Sequence, residues 1–163
     1  MTYEPAYILT LTLDQAAQAF FNEKRQQYFP PAINYLSAHL TLFHKLPVHP
    51  DTVAALANLQ FPAFQIEVTG LRNLGNGVAY RVESEPLNQL HYQLKSMFAG
   101  QLSPQDSQGY RPHVTVQNKV SSDQAKQLLL DLTADFKPFT AHALGLDLWE
   151  YLGGPWSHRR SFL

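Results

Sequence analysis

HLTL at residues 39–42 returns as HVTV at residues 113–116. In both stretches a histidine and a threonine alternate with apolar residues. That period of two belongs to an extended strand, whose successive side chains point to opposite faces. A chain carrying the pattern twice is constrained to build two such strands. One buries Leu40 and Leu42 and presents His39 with Thr41; the other buries Val114 and Val116 and presents His113 with Thr115. Either stretch alone reads as an ordinary strand with a polar outer face, and it is the repetition of the same two groups that singles them out.

The sequence around the pair alternates strand and helix. YILTLTL, residues 7–13, has strand period with one buried face; Asp14 then offers an N-cap to a helix from Gln15 to about Tyr28, which Pro30-Pro31 stops. His39–Leu46 is the next strand, and a short helix, VAALANLQ, follows with Asp51 or Thr52 as its cap. FQIEVTGLRNLGNGVAYRVES reads as a hairpin in which Asn76-Gly77 supplies the positive φ angles of a tight turn. The same glycines have neither the spacing nor the following helix of a phosphate-binding loop. Leu87, Leu90, Leu94 and Met97 mark an amphipathic helix from Pro86 to Ala99 that Gly100 ends. After the HVTV strand, Ser121 or Ser122 caps a helix to about Asp135, FTAHALGLDLWEYL returns to strand, and GGPWSHRRSFL adds a last short one. The order predicts an α+β fold in one domain, residues 1–163: 45% hydrophobic residues are enough for one core, and no Ser/Gly-rich linker divides the chain.

Two imidazoles and two hydroxyls around one pocket suit a phosphodiester, whose cleavage needs one proton removed and another delivered. Histidine, with an ordinary pKa near 6.5, supplies both forms close to neutrality, and a threonine hydroxyl can donate to a non-bridging oxygen. No metal is needed for this chemistry, and no cofactor is expected. The absence of cysteine removes disulfides, thiolate catalysis and cysteine-based metal sites. A formal net charge of −1 speaks against coating duplex nucleic acid, and favours a small or end-bound anionic ligand such as a nucleotide or RNA end. Neither a basic, apolar leader nor a membrane-length apolar run is visible, so a soluble cytoplasmic protein without membrane partners is the expectation, with a monomer as the default oligomeric state.

The paired HLTL and HVTV stretches, in this order of strands and helices, resemble the tandem His-x-Thr-x signatures of the two-histidine (2H) phosphoesterase superfamily, and most of all its bacterial 2′-5′ RNA ligase-like branch. The resemblance runs from the opening strand to LWEYLGGPW. It implies a bilobal fold with a two-fold-like repeat, antiparallel sheets lining a central groove and helices outside. It also implies metal-independent phosphodiesterase activity on 2′,3′-cyclic phosphates or 2′-5′ linkages. His39 and His113 then become the catalytic acid/base pair, and Thr41 and Thr115 the phosphate ligands. FHKLP after the first motif and QNKV after the second depart from the continuations associated with the RNA ligase members, which bears on the substrate rather than on the chemistry. The alternative reading is a binding module that holds nucleotide or RNA-end phosphates and turns nothing over; a third is a metal-dependent hydrolase.

Strand parity extends the candidate surface. Phe43 and Lys45 follow His39 and Thr41 onto the groove face, and Arg111, Gln117 and Lys119 accompany His113 and Thr115. Phe43 or Tyr110 offers a stacking platform for a base, and Arg111 or Lys119 a cation for a second phosphate; the competing reading makes the rings core and the cations solvated surface. Parity turns His44 to the opposite face, and His44 and His49 have no carboxylate at a metal-site spacing. His91, His142 and His158 read as surface or structural, and Trp149, Tyr151 and Trp156 as closing the core, with a place in the groove wall as the alternative. Arg72 and Arg81 flank the hairpin, where their role is open.

Overall fold

The computed structural model describes residues 4–163. Its elements run β1 (Tyr7–Leu13), α1 (Gln15–Tyr28), a 3-10 turn (Pro31–Ile33), β2 (Leu40–Leu46), α2 (Pro50–Ala57), β3 (Phe64–Asn73), β4 (Val78–Glu83), α3 (Glu85–Met97), β5 (His113–Gln117), α4 (Ser122–Asp135), β6 (Phe139–Tyr151) and β7 (Trp156–Phe162). The α+β class is as expected. Instead of separate sheets, however, the seven strands are hydrogen-bonded into one antiparallel sheet, in the order β1-β2-β5-β4-β3-β6-β7, and a further β1–β6 pairing closes six of them on themselves.

The length of β6 makes this closure possible. Its first residues, Phe139 to Ala143, pair with β3; from Ala143 to Glu150 it pairs with β1, and from Leu146 onwards also with β7. The two motif strands meet at the opposite side of the ring through a single pair, Leu40 with Val114. Because the pairing is antiparallel, Thr41 lies toward His113, and His39 toward Thr115.

The two HxTx stretches keep the predicted alternation: Leu40, Leu42, Val114 and Val116 are buried in the core, whereas His39, Thr41, His113 and Thr115 are half-buried. β1 differs from its expected one-sided form. Thr10 is as buried as the leucines, because β1 has a strand on each side and Trp149 Nε1 donates to the Thr10 hydroxyl at 2.9 Å.

Helix starts follow side-chain capping. Asp14 accepts from Ala17 N, Ser84 from Leu87 N, and Ser121 forms a reciprocal capping box with Gln124. α2 departs from expectation: it begins at Pro50 rather than Val53, and its cap is His49, whose Nδ1 accepts from Asp51 N at 3.1 Å. Proline fits the first helical position because its missing N–H would have no partner there.

The hairpin between β3 and β4 differs as well. The positive φ is at Gly75, at 95°, and neither Asn76 nor Gly77 has one. Gly77 is instead a close-approach position, where a Cβ would stand 2.0 Å from Gln117 O. Among the described residues no helix is long and apolar enough to cross a membrane.

Candidate active site

A cavity of about 550 Å³ opens between β2 and β5, and its wall includes His39, Thr41, His113 and Thr115. The backbone of each motif strand is gripped from outside the sheet. Tyr110 OH donates to Thr41 O at 3.0 Å, and Arg25 Nη1 of α1 donates to Thr115 O at 3.1 Å. Neither threonine hydroxyl has a hydrogen-bond partner among the described residues, so both are available to a ligand.

The two imidazoles are tethered alike. His39 Nδ1 lies 2.9 Å from Ser37 O, and His113 Nδ1 lies 2.8 Å from Arg111 O. A carbonyl oxygen only accepts, so in each ring Nδ1 carries the hydrogen, and in the neutral form Nε2 bears the lone pair. Arg72 Nη1, 3.5 Å from His113 Nδ1, therefore faces another donor and acts on that ring through its charge.

Both rings are held below the ordinary histidine range. Burial pushes His39 down to about 4, with Arg25, His44 and His113 adding repulsion and the Ser37 carbonyl opposing them. His113 is lowered first by burial and then by Arg72 and His44, against the Arg111 carbonyl. Part of the covering of His39 is Trp156, whose ring centroid is 4.6 Å away. Arg25 is itself 5% exposed, lies over the Phe29 ring at 3.8 Å and donates through Nε to Asn34 Oδ1; burial lowers its pKa to about 10.

Several candidate residues stand elsewhere than strand parity put them. β2 carries an extra residue where Leu9 pairs with Phe43 but Thr10 with Thr41, and a second irregularity lies between Leu9 and Tyr7. Each such bulge shifts the alternation by one residue. Phe43 is consequently fully buried and unavailable to a base; it stacks on His91 at 4.6 Å, and His91 stacks on Tyr110 at 3.8 Å. Lys45 turns out of the groove to pair with Glu4. Lys119 is absent from the cavity wall and occupies the turn after β5 with φ 58°. Gln117 is buried at the end of β5. Tyr110 and Arg111 do line the cavity, as does Arg72.

His44, assigned by parity to the other face, lines the cavity instead. Its ring sits 3.2 Å from Asp106, whose carboxylate also accepts from His44 N and Lys45 N at 2.9–3.0 Å. Burial raises the Asp106 pKa, but the bonds from His44 and Lys45 outweigh it and hold the carboxyl below its ordinary value. Asp106 gave no signal in the sequence, because it lies in a loop 62 residues from its partner. Of the two readings of each, Trp156 takes the groove-lining one rather than closing the core, and His91 is the buried, structural residue rather than a surface one. No three His, Asp or Glu side chains converge as a metal's ligands would among the described residues.

A family model described as the 2′-5′ RNA ligase superfamily matches residues 13–155. No curated protein matches the sequence. Among solved structures, the TT0787 protein of Thermus thermophilus superposes with a TM-score of 0.65 at 17% identity over 96% of each chain. E. coli LigT complexed with 3′-AMP gives 0.63 at 17% identity over 97% of each chain, and a structure described as a phosphoesterase gives 0.62 at 18% over 97% of each. At such identities the likeness is one of fold.

Proposed function

Because the chain belongs to the 2′-5′ RNA ligase superfamily, we propose that it is a metal-independent phosphodiesterase acting on 2′,3′-cyclic phosphates or 2′-5′-linked nucleotide or RNA ends, with His39 and His113 as the acid/base pair and Thr41 and Thr115 as phosphate ligands. The observation that carries this reading is the matched tethering of the two rings. Each gives its Nδ1 hydrogen to the carbonyl two residues earlier, which leaves both Nε2 atoms for proton transfer beside two unbonded hydroxyls.

In the hydrolysis of a cyclic phosphate, Nε2 of one neutral histidine takes a proton from water as the water oxygen bonds to phosphorus. One ring P–O bond breaks, and the other histidine, protonated, delivers its proton to the departing oxygen. The threonine hydroxyls donate to the non-bridging oxygens, where charge accumulates. The direction of attack decides which ring is base and which acid. In the free protein both rings are biased toward the neutral form, and the substrate's negative charge favours the protonated state that the acid needs. The second reading, a phosphate-binding module, uses the same residues without the proton transfers.

The test is product formation from cytidine 2′,3′-cyclic phosphate and a 2′-5′-linked dinucleotide with chelator present. His39→Ala and His113→Ala should each lower turnover by about 10²–10⁴-fold while leaving the folded state intact by circular dichroism. Full activity in either variant refutes the mechanism, and binding without product in the wild type favours the module.

A further inference from the structure

Beside the groove lies a second cavity, of about 420 Å³, that shares Arg72, Tyr110 and Arg111 with the first. The two therefore adjoin on the His113 side, with these side chains as their common wall. Its wall adds Arg81, so that three guanidinium groups face one carboxylate, Glu83. None of the three arginines forms an ion pair among the described residues, although such pairs join Arg159 to Glu150 and Lys45 to Glu4 elsewhere. Arg72 has only a fellow donor, His113 Nδ1, at hand, and Arg111 has no side-chain hydrogen bond among the described residues.

Arg81 is held in place by the backbone beneath it. β3 has a bulge between Val68 and Gly70, and the Arg81 guanidinium lies over Gly70 so closely that a Cβ there would stand 2.6 Å from Nη2. Its Nε donates to Thr69 Oγ1 at 3.2 Å, which leaves the remaining donors of the fork free. A guanidinium in this state matches the paired oxygens of a phosphate.

We propose that this arginine cavity holds a second phosphate of the substrate, so that the protein prefers phosphoesters carrying a further anionic phosphate to those with the reacting phosphate alone. The inference rests on the phosphodiesterase reading for the nature of the substrate, but the site itself is defined by Arg72, Arg81 and Arg111. Arg72, next to His113, stands where the two phosphates would share a cation; Arg81 and Arg111 belong to the second.

Calorimetric binding to the full chain separates the two readings. 3′-AMP carries one phosphate; adenosine 3′,5′-bisphosphate and the 3′-phosphorylated dinucleotide ApAp carry a second at two different spans. At least one of the latter should bind about tenfold more tightly than 3′-AMP, the value of one charge-assisted contact. That ratio should fall to near one in Arg81→Gln, and also in Gly70→Ala, which displaces the guanidinium without removing its charge. It should persist in Arg159→Gln, which changes net charge equally at a remote, paired position. A ratio below about twofold for both ligands, or an unchanged ratio in Arg81→Gln, overturns the proposal. Turnover of a 2′,3′-cyclic phosphate is followed separately. Its absence with the binding ratio intact removes hydrolysis and leaves the second phosphate site standing.

Discussion

Replacing His39 by asparagine and measuring unfolding free energy from pH 7 to pH 4 isolates the electrostatic consequence of burying this ring. In the unfolded chain His39 titrates near 6.5, and in the folded protein near 4. Between these values the unfolded chain binds a proton that the folded state refuses. Stability contributed by the neutral ring is therefore complete above about pH 6.5 and is lost as pH falls toward 4. At about 1.4 kcal/mol per pH unit the loss amounts to about 3 kcal/mol, an upper value because the groove is open to water. His113 and His91, also lowered, add to the same trend, whereas the lowered carboxylates of Asp14, Asp106 and Asp147 act mainly below this window. Asparagine retains an N–H donor for Ser37 O and does not titrate. Urea unfolding followed by tryptophan fluorescence should show the wild type losing up to about 3 kcal/mol more than His39→Asn over the window. Equal losses in the two proteins would falsify the burial argument. The same displacement predicts that kcat/KM, which reports the free protein, declines on the alkaline side at a lower pH than kcat, which reports the complex carrying the phosphate charge.

Trp156→Ala uncovers one side of the His39 ring, so the His39 pKa should rise toward its ordinary value; an NMR titration of the imidazole that stays near 4 contradicts the role given to the indole. Asp106→Ala strands the N–H groups of His44 and Lys45, at about 1–3 kcal/mol each, and should cost about 2–6 kcal/mol in chemical denaturation. A loss below about 1 kcal/mol shows that water replaces the carboxylate. Gly77→Ala should destabilise by more than about 3 kcal/mol, because its Cβ meets Gln117 backbone at 2.0 Å, whereas Gly75→Ala, strained by its φ of 95° but surrounded by open space, should cost about 1 kcal/mol. Reversal of that order in thermal melts returns the turn to Asn76-Gly77.

The alternation that announces His39, Thr41, His113 and Thr115 is local, and the half-buried and buried classes follow it through both motifs. It fails at Phe43, directly after the first motif, where the bulge opposite Leu9 inserts a residue that no pattern in FHKLP marks. That slip exchanged Lys45 for His44 in the groove and sent Phe43 into the core. Arg25, Asp106 and the placement of Trp156 against His39 were illegible for a different reason. Their partners, Thr115, His44 and His39, are 90, 62 and 117 residues away, and only the tertiary fold brings them together. The helices were legible where Asp14 and Ser121 cap them, and misread at α2, where a histidine does the capping.

The β1–β6 pairing that closes the ring also sets the order of events in folding. Tyr7 must find Glu150, and Leu13 must find Ala143, across nearly the whole chain. Contacts of such sequence separation carry a large loop-closure cost before they return any stabilisation, which places folding at the slow end for a domain of this size. During synthesis the β1–β2 pair emerges long before β6 exists, with the edge of β1 that will receive it unpaired and rich in leucine. Until the ribosome has delivered β6, that edge is an open template for other chains, and the interval is when the protein is most exposed to aggregation.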